Sequence, residues 1–468
     1  MPKFSLALDG RCNLDIINCR RNLRMNTCDR KDKNVTKQYA EGREEQRITK
    51  NKIPLYSLKS PGLHGFCLCL YARAGVLYED EKENGISHFV EHIVFRNINY
   101  IYGGKLYDLL DSAGLTFTAA TYKEFMQFCI TGKSSRFSLA ADILTKLFEP
   151  LSETLSGEEF ESERGRIRAE IRECDEKSSL EYVVKKEVWD KTPLARMITG
   201  TLGSVSRITP KKCEDARRRL FACDNAFFYA TGNFSDADLD YLEEKTNSYT
   251  LCPALKRENK TPLPASFGNR HSPILLRDSA YYMVLLCFDM EGTPEEKPIR
   301  SLFYDVMFAG ENCRFFGELS EKLGYIYSYD AKLEEYGNAA NLSVSYEVSL
   351  KNLYDSLSAA VRLLNEMKKE IGAAALANAK IYYTDNACLL LDNAEELNWT
   401  MAYENHILGG GSVSLSERSA RYEAVGEEDV RRMAQKTFCR RSRMIGIKGR
   451  KKKLDLDRIE TILAELDS

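Results

Sequence analysis

The sequence is poor in proline and histidine and has no long apolar run. Twelve Pro in 468 residues are too few for a collagenous or proline-rich chain. Its apolar stretches, such as residues 274–276 and 283–288, fall far short of the roughly 18 residues that a membrane helix requires, which excludes a transmembrane helix. Charge of one sign is missing too. Sixty-seven Lys and Arg face 69 Asp and Glu, for a net charge of −2, so no net field recruits nucleic acid or an anionic membrane. The 14 cysteines are scattered and include no CxxC pair, which argues against a disulfide scaffold. Met1 is not followed by a basic segment and an apolar one, so a reducing cytoplasm is the expected compartment.

With 43% hydrophobic and 29% charged residues, the chain has the composition of an ordinary globular protein. Residues 1–50 stand apart: Arg11, Arg20, Arg21, Arg24, Arg30, Lys31 and Lys33 interleave with Cys12, Cys19 and Cys28. This reads as an N-terminal extension outside the core. Asp9, Asp15, Asp29 and Asp32 argue against an organellar transit peptide, a class poor in acids, and organellar targeting stays open as the alternative. From residue 51 the pattern predicts strands at 55–58 and 65–72, helices at 86–95 and 104–113, and strands at 115–121 and 125–131. Helices at 138–148 and 157–174 and a strand at 226–232 complete a first unit, residues 51–250. Pro253, Pro262, Pro264 and Gly268 mark 251–269 as a linker. Residues 270–468 then repeat the order: a strand at 281–288, helices at 298–308 and 315–323, strands at 325–331 and 341–348, and long helices from 351 and 374. Two units of similar order predict a duplicated α+β architecture.

Two of the five histidines fall in Gly85-Ile86-Ser87-His88-Phe89-Val90-Glu91-His92, an HxxEH motif that chance would produce in such a chain on the order of a few times in a thousand. On a helix, positions i and i+4 share a face, so both imidazoles can reach one ion, with Glu91 on the adjoining flank. A zinc ion fits that geometry and needs a third protein ligand. The acidic stretch 158–173 offers Glu163, Glu170 and Glu173. Glu163 and Glu170 share a helix face, and spacing alone does not choose among the three. Cys67 and Cys69 share one strand face and read as buried core residues rather than soft ligands. Gly409-Gly410-Gly411 has no following Lys-Ser/Thr and reads as a loop, and Arg450-Lys451-Lys452-Lys453 as a solvated turn.

The inverted HxxEH resembles the signature of the pitrilysin, or insulinase, family of zinc metallopeptidases. Gly75-Val76-Leu77-Tyr78-Glu79 is similar to that family's lead-in to its zinc helix, and Glu163-Arg164 through Glu170 to its E-R-x5-E segment. The resemblance spans roughly residues 53–445. It implies Zn²⁺ held by His88, His92 and Glu170, with Glu163 as supporting carboxylate and Glu91 as general base. It further implies two homologous α/β-sandwich halves, each a mixed sheet covered by helices, forming half of a clamshell chamber for unfolded peptides or leader peptides. Substrate would add a strand beside Thr118-Ala119-Ala120-Thr121, where Thr118 stands in place of the family's Asn, and Phe128 in place of its usual Tyr. Of the family's Arg–Tyr pair in the second half, Tyr327 is present, Ser320 occupies the Arg position, and Arg314 is the nearest upstream Arg. The expectation is a zinc endopeptidase paired with a homologous subunit that supplies Arg and Tyr, with a homodimer as the other pairing. A non-catalytic binding or assembly subunit of the same fold is the alternative function.

Overall fold

Short β-rich runs with covered faces set the strands. Six form the first sheet: β1 (Glu45–Ile48), β2 (Pro54–Lys59), β3 (Gly65–Arg73), β4 (Thr116–Thr121), β5 (Phe125–Lys133) and β6 (Ala226–Gly232), in the order β1-β2-β6-β3-β5-β4. Five form the second: β7 (Ile274–Leu276), β8 (Tyr282–Glu291), β9 (Tyr329–Glu335), β10 (Ala339–Val348) and β11 (Arg443–Lys448), in the order β7-β11-β8-β10-β9. These are the features of a computed structural model of the chain, which describes residues 43–151, 157–173, 179–189, 192–251, 274–276, 281–310, 313–450 and 454–467. The linker expected over 251–269, apart from residue 251, lies outside the described residues, as do Cys12, Cys19, Cys28 and the basic residues 451–453.

Leaving β1 aside, the two sheets have one topology. In each, the first strand of the unit pairs in parallel with its last, β2 with β6 and β7 with β11. The second strand then pairs antiparallel with the last and the fourth, and the third lies at the edge. The fold is therefore a mixed α/β arrangement of two sheets covered by helices.

The helices that matter for the site are α1 (Ile86–Ile101), α2 (Gly157–Glu173), α3 (Leu180–Val188), α4 (Leu353–Lys369) and α5 (Ala394–Ala402). Along β3, Phe66, Leu68, Leu70 and Ala72 face a core shared with Phe89, Val90 and Ile93 of α1. The alternate residues Cys67, Cys69 and Tyr71 face Leu397, Met401 and Ala402 of α5. In the other direction, Leu180, Val184 and Val188 of α3 pack on Leu285, Cys287 and Met444 of the second sheet. Each half thus lends a helix to the outer face of the other half's sheet. Polar ties join the same surfaces: Tyr71 donates to Asn398 Oδ1 at 2.9 Å, and Lys332 of β9 donates to Glu181 at 3.0 Å. Lys185 and Lys332 together hold the Glu181 carboxyl down at about 2, against the opposing push of burial.

Several elements differ from the sequence expectation. The helix expected to end at 95 runs to Ile101, because Ile98 is still buried in the core. The strand expected at 325–331 begins at Tyr329, where the register on β10 sets Ala331 opposite Val344 and Leu333 opposite Leu342. The helix expected at 315–323 is one α-turn, Arg314–Phe316, followed by a π-helix, Gly317–Lys322. The long helix expected from 374 stops at Ile381, and a 3₁₀ segment, Ala387–Asp392, follows. Of the 1–50 extension, the last residues are built in: β1 pairs with β2, and Glu44 accepts hydrogen bonds from Tyr229 and Asn405 at 2.7 and 3.2 Å. Among the described residues no helix is long and apolar enough to cross a membrane.

Candidate metal centre

The start of α1 is built around one buried carboxylate. Glu79 accepts from the backbone N–H groups of Gly85 and Ser87, both at 2.8 Å, and from Asn84 Nδ2 at 3.2 Å. A carboxylate there satisfies helix N–H groups that have no partner within the helix and complements the helix dipole. Gly85 caps the helix at φ +90°, and a Cβ on it would lie 2.7 Å from Thr199 O and 2.8 Å from Gly200 Cα. Both conditions demand glycine. Gly85→Ala is expected to destabilise the fold by about 2–3 kcal/mol, read as a lower denaturant midpoint at unchanged m.

Helix α2 is strongly polar, and its buried stripe is narrow: Phe160, Glu163, Arg164 and Ile167. Phe160 packs on Phe89 of α1 with ring centroids 4.9 Å apart. The Arg164 guanidinium lies 5.6 Å from the Phe89 ring and donates to Ile208 O at 2.8 Å. These contacts set α2 against α1 so that Glu163 and Glu170, two turns apart, both face the histidines.

The resulting geometry separates the two glutamates. Glu170 Oε1 lies 3.5 Å from His88 Nε2, and Glu170 Oε2 lies 3.6 Å from His92 Nε2. Glu163 Oε2 lies 3.5 Å from the other ring nitrogen of the second histidine, His92 Nδ1, while Glu163 Oε1 meets Arg96 and, at 3.2 Å, Arg166. Glu170 thus closes a triangle with both Nε2 atoms, whereas Glu163 braces His92 from behind with its charge balanced by two arginines. Arg96 and Arg166 went unnoticed in the sequence; the only available signal was their placement four residues after His92 and three after Glu163.

The electrostatics follow from burial. Burial, with the His92 ring beside it, holds His88 well below the usual imidazole range, so its ring is neutral. His92 is pushed down by burial, but Glu163, Glu91 and Glu170 outweigh this and raise it. Burial raises Glu91, against the pull of His92 and Thr121. Glu170 is raised by burial and by the charges of Glu91 and Glu173. In Glu163 burial is outweighed by His92, Arg96 and Arg166, and its pKa is lowered.

Do these residues fit a metal? The 3.5–3.6 Å separations between Nε2 and carboxylate atoms exceed good hydrogen-bond lengths. They suit ligands sharing one ion, since two atoms each about 2.0–2.1 Å from a tetrahedral centre stand about 3.4 Å apart. The ligand atoms of His88, His92 and Glu170 all lie within 4.8 Å of one another. Glu91 and Glu170 also bring a buried and a partly buried carboxyl group to one place, charges that a divalent cation would balance. The donor set fits.

Glu91 is not part of the triangle. Its Oε2 accepts a hydrogen bond from Thr121 Oγ1 at 2.5 Å. Thr121 is buried at the end of β4, the edge strand of the first sheet, on which Thr118 is exposed and Ala119 half-buried. The structure therefore brings Thr121 to the candidate base and leaves Thr118 and Ala119 along the open edge. Phe128 pairs with Ala119 from the inner strand and is wholly buried. Tyr327 is 93% exposed ahead of β9, so its side chain is not in contact with His88, His92 and Glu170. Arg314 donates to the Glu370 carbonyl at 3.5 Å and to that of Ile371, just past the end of α4.

Comparison with known proteins agrees with this geometry. Residues 59–202, which contain the whole triangle and Glu91, match the family model described as Insulinase (Peptidase family M16). The chain is 24% identical over 332 residues to an uncharacterized zinc protease of Rickettsia felis, covering 69% of this chain and 78% of that protein. It is 26% identical over 419 residues to the human mitochondrial-processing peptidase subunit beta, covering 84% of this chain and 82% of that protein. In fold it superposes on a protease from Helicobacter pylori with a TM-score of 0.76, at 15% identity, over 87% of this chain and 100% of that one. With its motif helix inside the matched segment and relatives aligned across both halves, the chain is similar to the insulinase family of peptidases, family M16, over residues 59–202.

Proposed function

We propose that this protein is a zinc-dependent endopeptidase acting on extended, unfolded peptides, among them leader or targeting peptides. The observation that carries the reading is the placement of Glu91: buried, hydrogen-bonded to the edge strand through Thr121, and one residue before a histidine of the metal triangle. His88, His92 and Glu170 would hold a Zn²⁺ ion, which when bound would supply Lewis acidity toward water and a peptide carbonyl. The peptide lies along the open edge of β4, where backbone hydrogen bonds give affinity with little sequence preference. Thr121 occupies Glu91 Oε2, which leaves Oε1 to take the proton from water as its oxygen adds to the carbonyl carbon. Glu91 then returns that proton to the amine nitrogen as the C–N bond breaks.

The chain acts in this reading as the metal-bearing half of a heterodimer. Support comes from Ser320 at the position of the family's arginine, from Arg314 being engaged with carbonyls past α4, and from the outward-facing Tyr327. A partner's arginine hydrogen-bonded to the substrate carbonyl would contribute roughly a hundredfold to a thousandfold in rate. The test compares cleavage of an unfolded peptide by the isolated chain, by the chain mixed with a homologue carrying Arg and Tyr, and by Ser320→Arg alone. The mixture is expected to exceed the isolated chain by that factor and to lose activity on chelation. Equal rates would discard the heterodimer, and no metal-dependent cleavage in any arm would favour a binding or assembly subunit.

A further inference from the structure

On the far side of the first sheet from the histidines, three cysteines converge. Cys67 and Cys69 are two apart on β3 and point to one face, and Cys129 of β5 stands directly opposite Cys69 in the ladder. Cys67 Sγ lies 3.2 Å from Cys129 Sγ and 3.6 Å from Cys69 Sγ. All three are buried, and their sulfurs lie within 4.8 Å of one another. Helix α5, from the other half of the chain, closes over them with Leu397 and Met401.

Buried single cysteines behave as small hydrophobes, but three that share one contact present a set of soft ligands. Sulfurs about 2.3 Å from a tetrahedral ion stand about 3.8 Å apart, so the Cys67–Cys69 separation would open by about 0.2 Å and the Cys67–Cys129 separation by about 0.6 Å. Polar groups are aimed at it. Gln127 Nε2 donates to Cys69 Sγ at 3.4 Å and to Tyr71 Oη at 3.0 Å, and Tyr71 is in turn tied to Asn398 of α5. Such donors orient and stabilise thiolate ligands.

We propose that Cys67, Cys69 and Cys129 form a second metal site, a trithiolate centre for a soft divalent cation of the Zn²⁺ class. Charge selects the valence. Three thiolates around a divalent ion leave one net negative charge for Gln127 to solvate, whereas a monovalent Cu⁺ would leave two, and the carboxylate of Glu395 adds further negative field.

The test is made in a His88→Ala/His92→Ala chain, so that it is independent of the proposed catalytic metal. Purified under reductant, this variant is expected to retain about one zinc per chain by mass spectrometry of metals, and adding Cys129→Ala should reduce that to less than about a tenth. A second measurement needs no cysteine substitution: refolding the double-histidine variant with Cd²⁺ should produce thiolate-to-metal charge-transfer absorption, and refolding with Cu⁺ should compete poorly. Retention of no metal together with no thiolate band on refolding with Cd²⁺ overturns the proposal. So does a Cys67–Cys129 disulfide in protein handled without reductant that persists when Cd²⁺ is offered, because the pair is then a cross-link rather than a ligand set.

Discussion

Glu91→Gln is expected to lower the rate of peptide cleavage by about a hundredfold to ten-thousandfold, the contribution of a positioned general base, while zinc content and thermal unfolding stay near wild type. Glutamine keeps the shape and can still accept from Thr121 Oγ1, which lies 2.5 Å from Glu91 Oε2. What it cannot do is take a proton. The companion substitution Thr121→Val removes the hydrogen bond and leaves the base. Its expected cost is smaller, about tenfold in kcat, because Glu91 loses one charge-assisted contact and with it part of its orientation. Measured together, the pair separates proton transfer from positioning. Turnover by Glu91→Gln within tenfold of wild type would remove Glu91 from the mechanism.

Glu170→Gln should cost the chain about one equivalent of zinc after dialysis against a weak chelator, because an amide oxygen replaces the carboxylate that spans both Nε2 atoms. For Glu163→Gln the expectation is a decrease in affinity of about 10–100-fold with the metal still bound at saturating zinc, as for groups that orient a ligand rather than serve as one. The geometry distinguishes the two cases: Glu163 faces His92 Nδ1 and neutralises Arg96 and Arg166, so its loss leaves a misoriented imidazole and two uncompensated guanidinium groups. Competition with a chromophoric chelator measures both. Equal losses for the two variants would mean that the glutamates share the ion, and the division of roles drawn here would fall.

Local periodicity determined a good deal by itself. The helix carrying His88, Glu91 and His92 was legible because the i, i+4 relation is a property of one helical turn. So was the repeated order of strands and helices, which reappears as one strand topology in both sheets. Spacing could also place Glu163 and Glu170 on a common face, since seven residues are two turns. Only the tertiary structure decided which of them meets which ring nitrogen, because that depends on how Phe160 and Arg164 seat α2 against Phe89 and the Ile208 carbonyl. The contact of Thr121 with Glu91 spans 30 residues, and the meeting of Cys67 with Cys129 spans 62. The first is set by how α1 packs beside β4, the second by strand register, which hydrophobic alternation in one strand does not determine. The exchange of covering helices, α3 onto the second sheet and α5 onto the first, was likewise beyond the sequence. An apolar helix face announces that it will be buried, and only the packed chain decides against what.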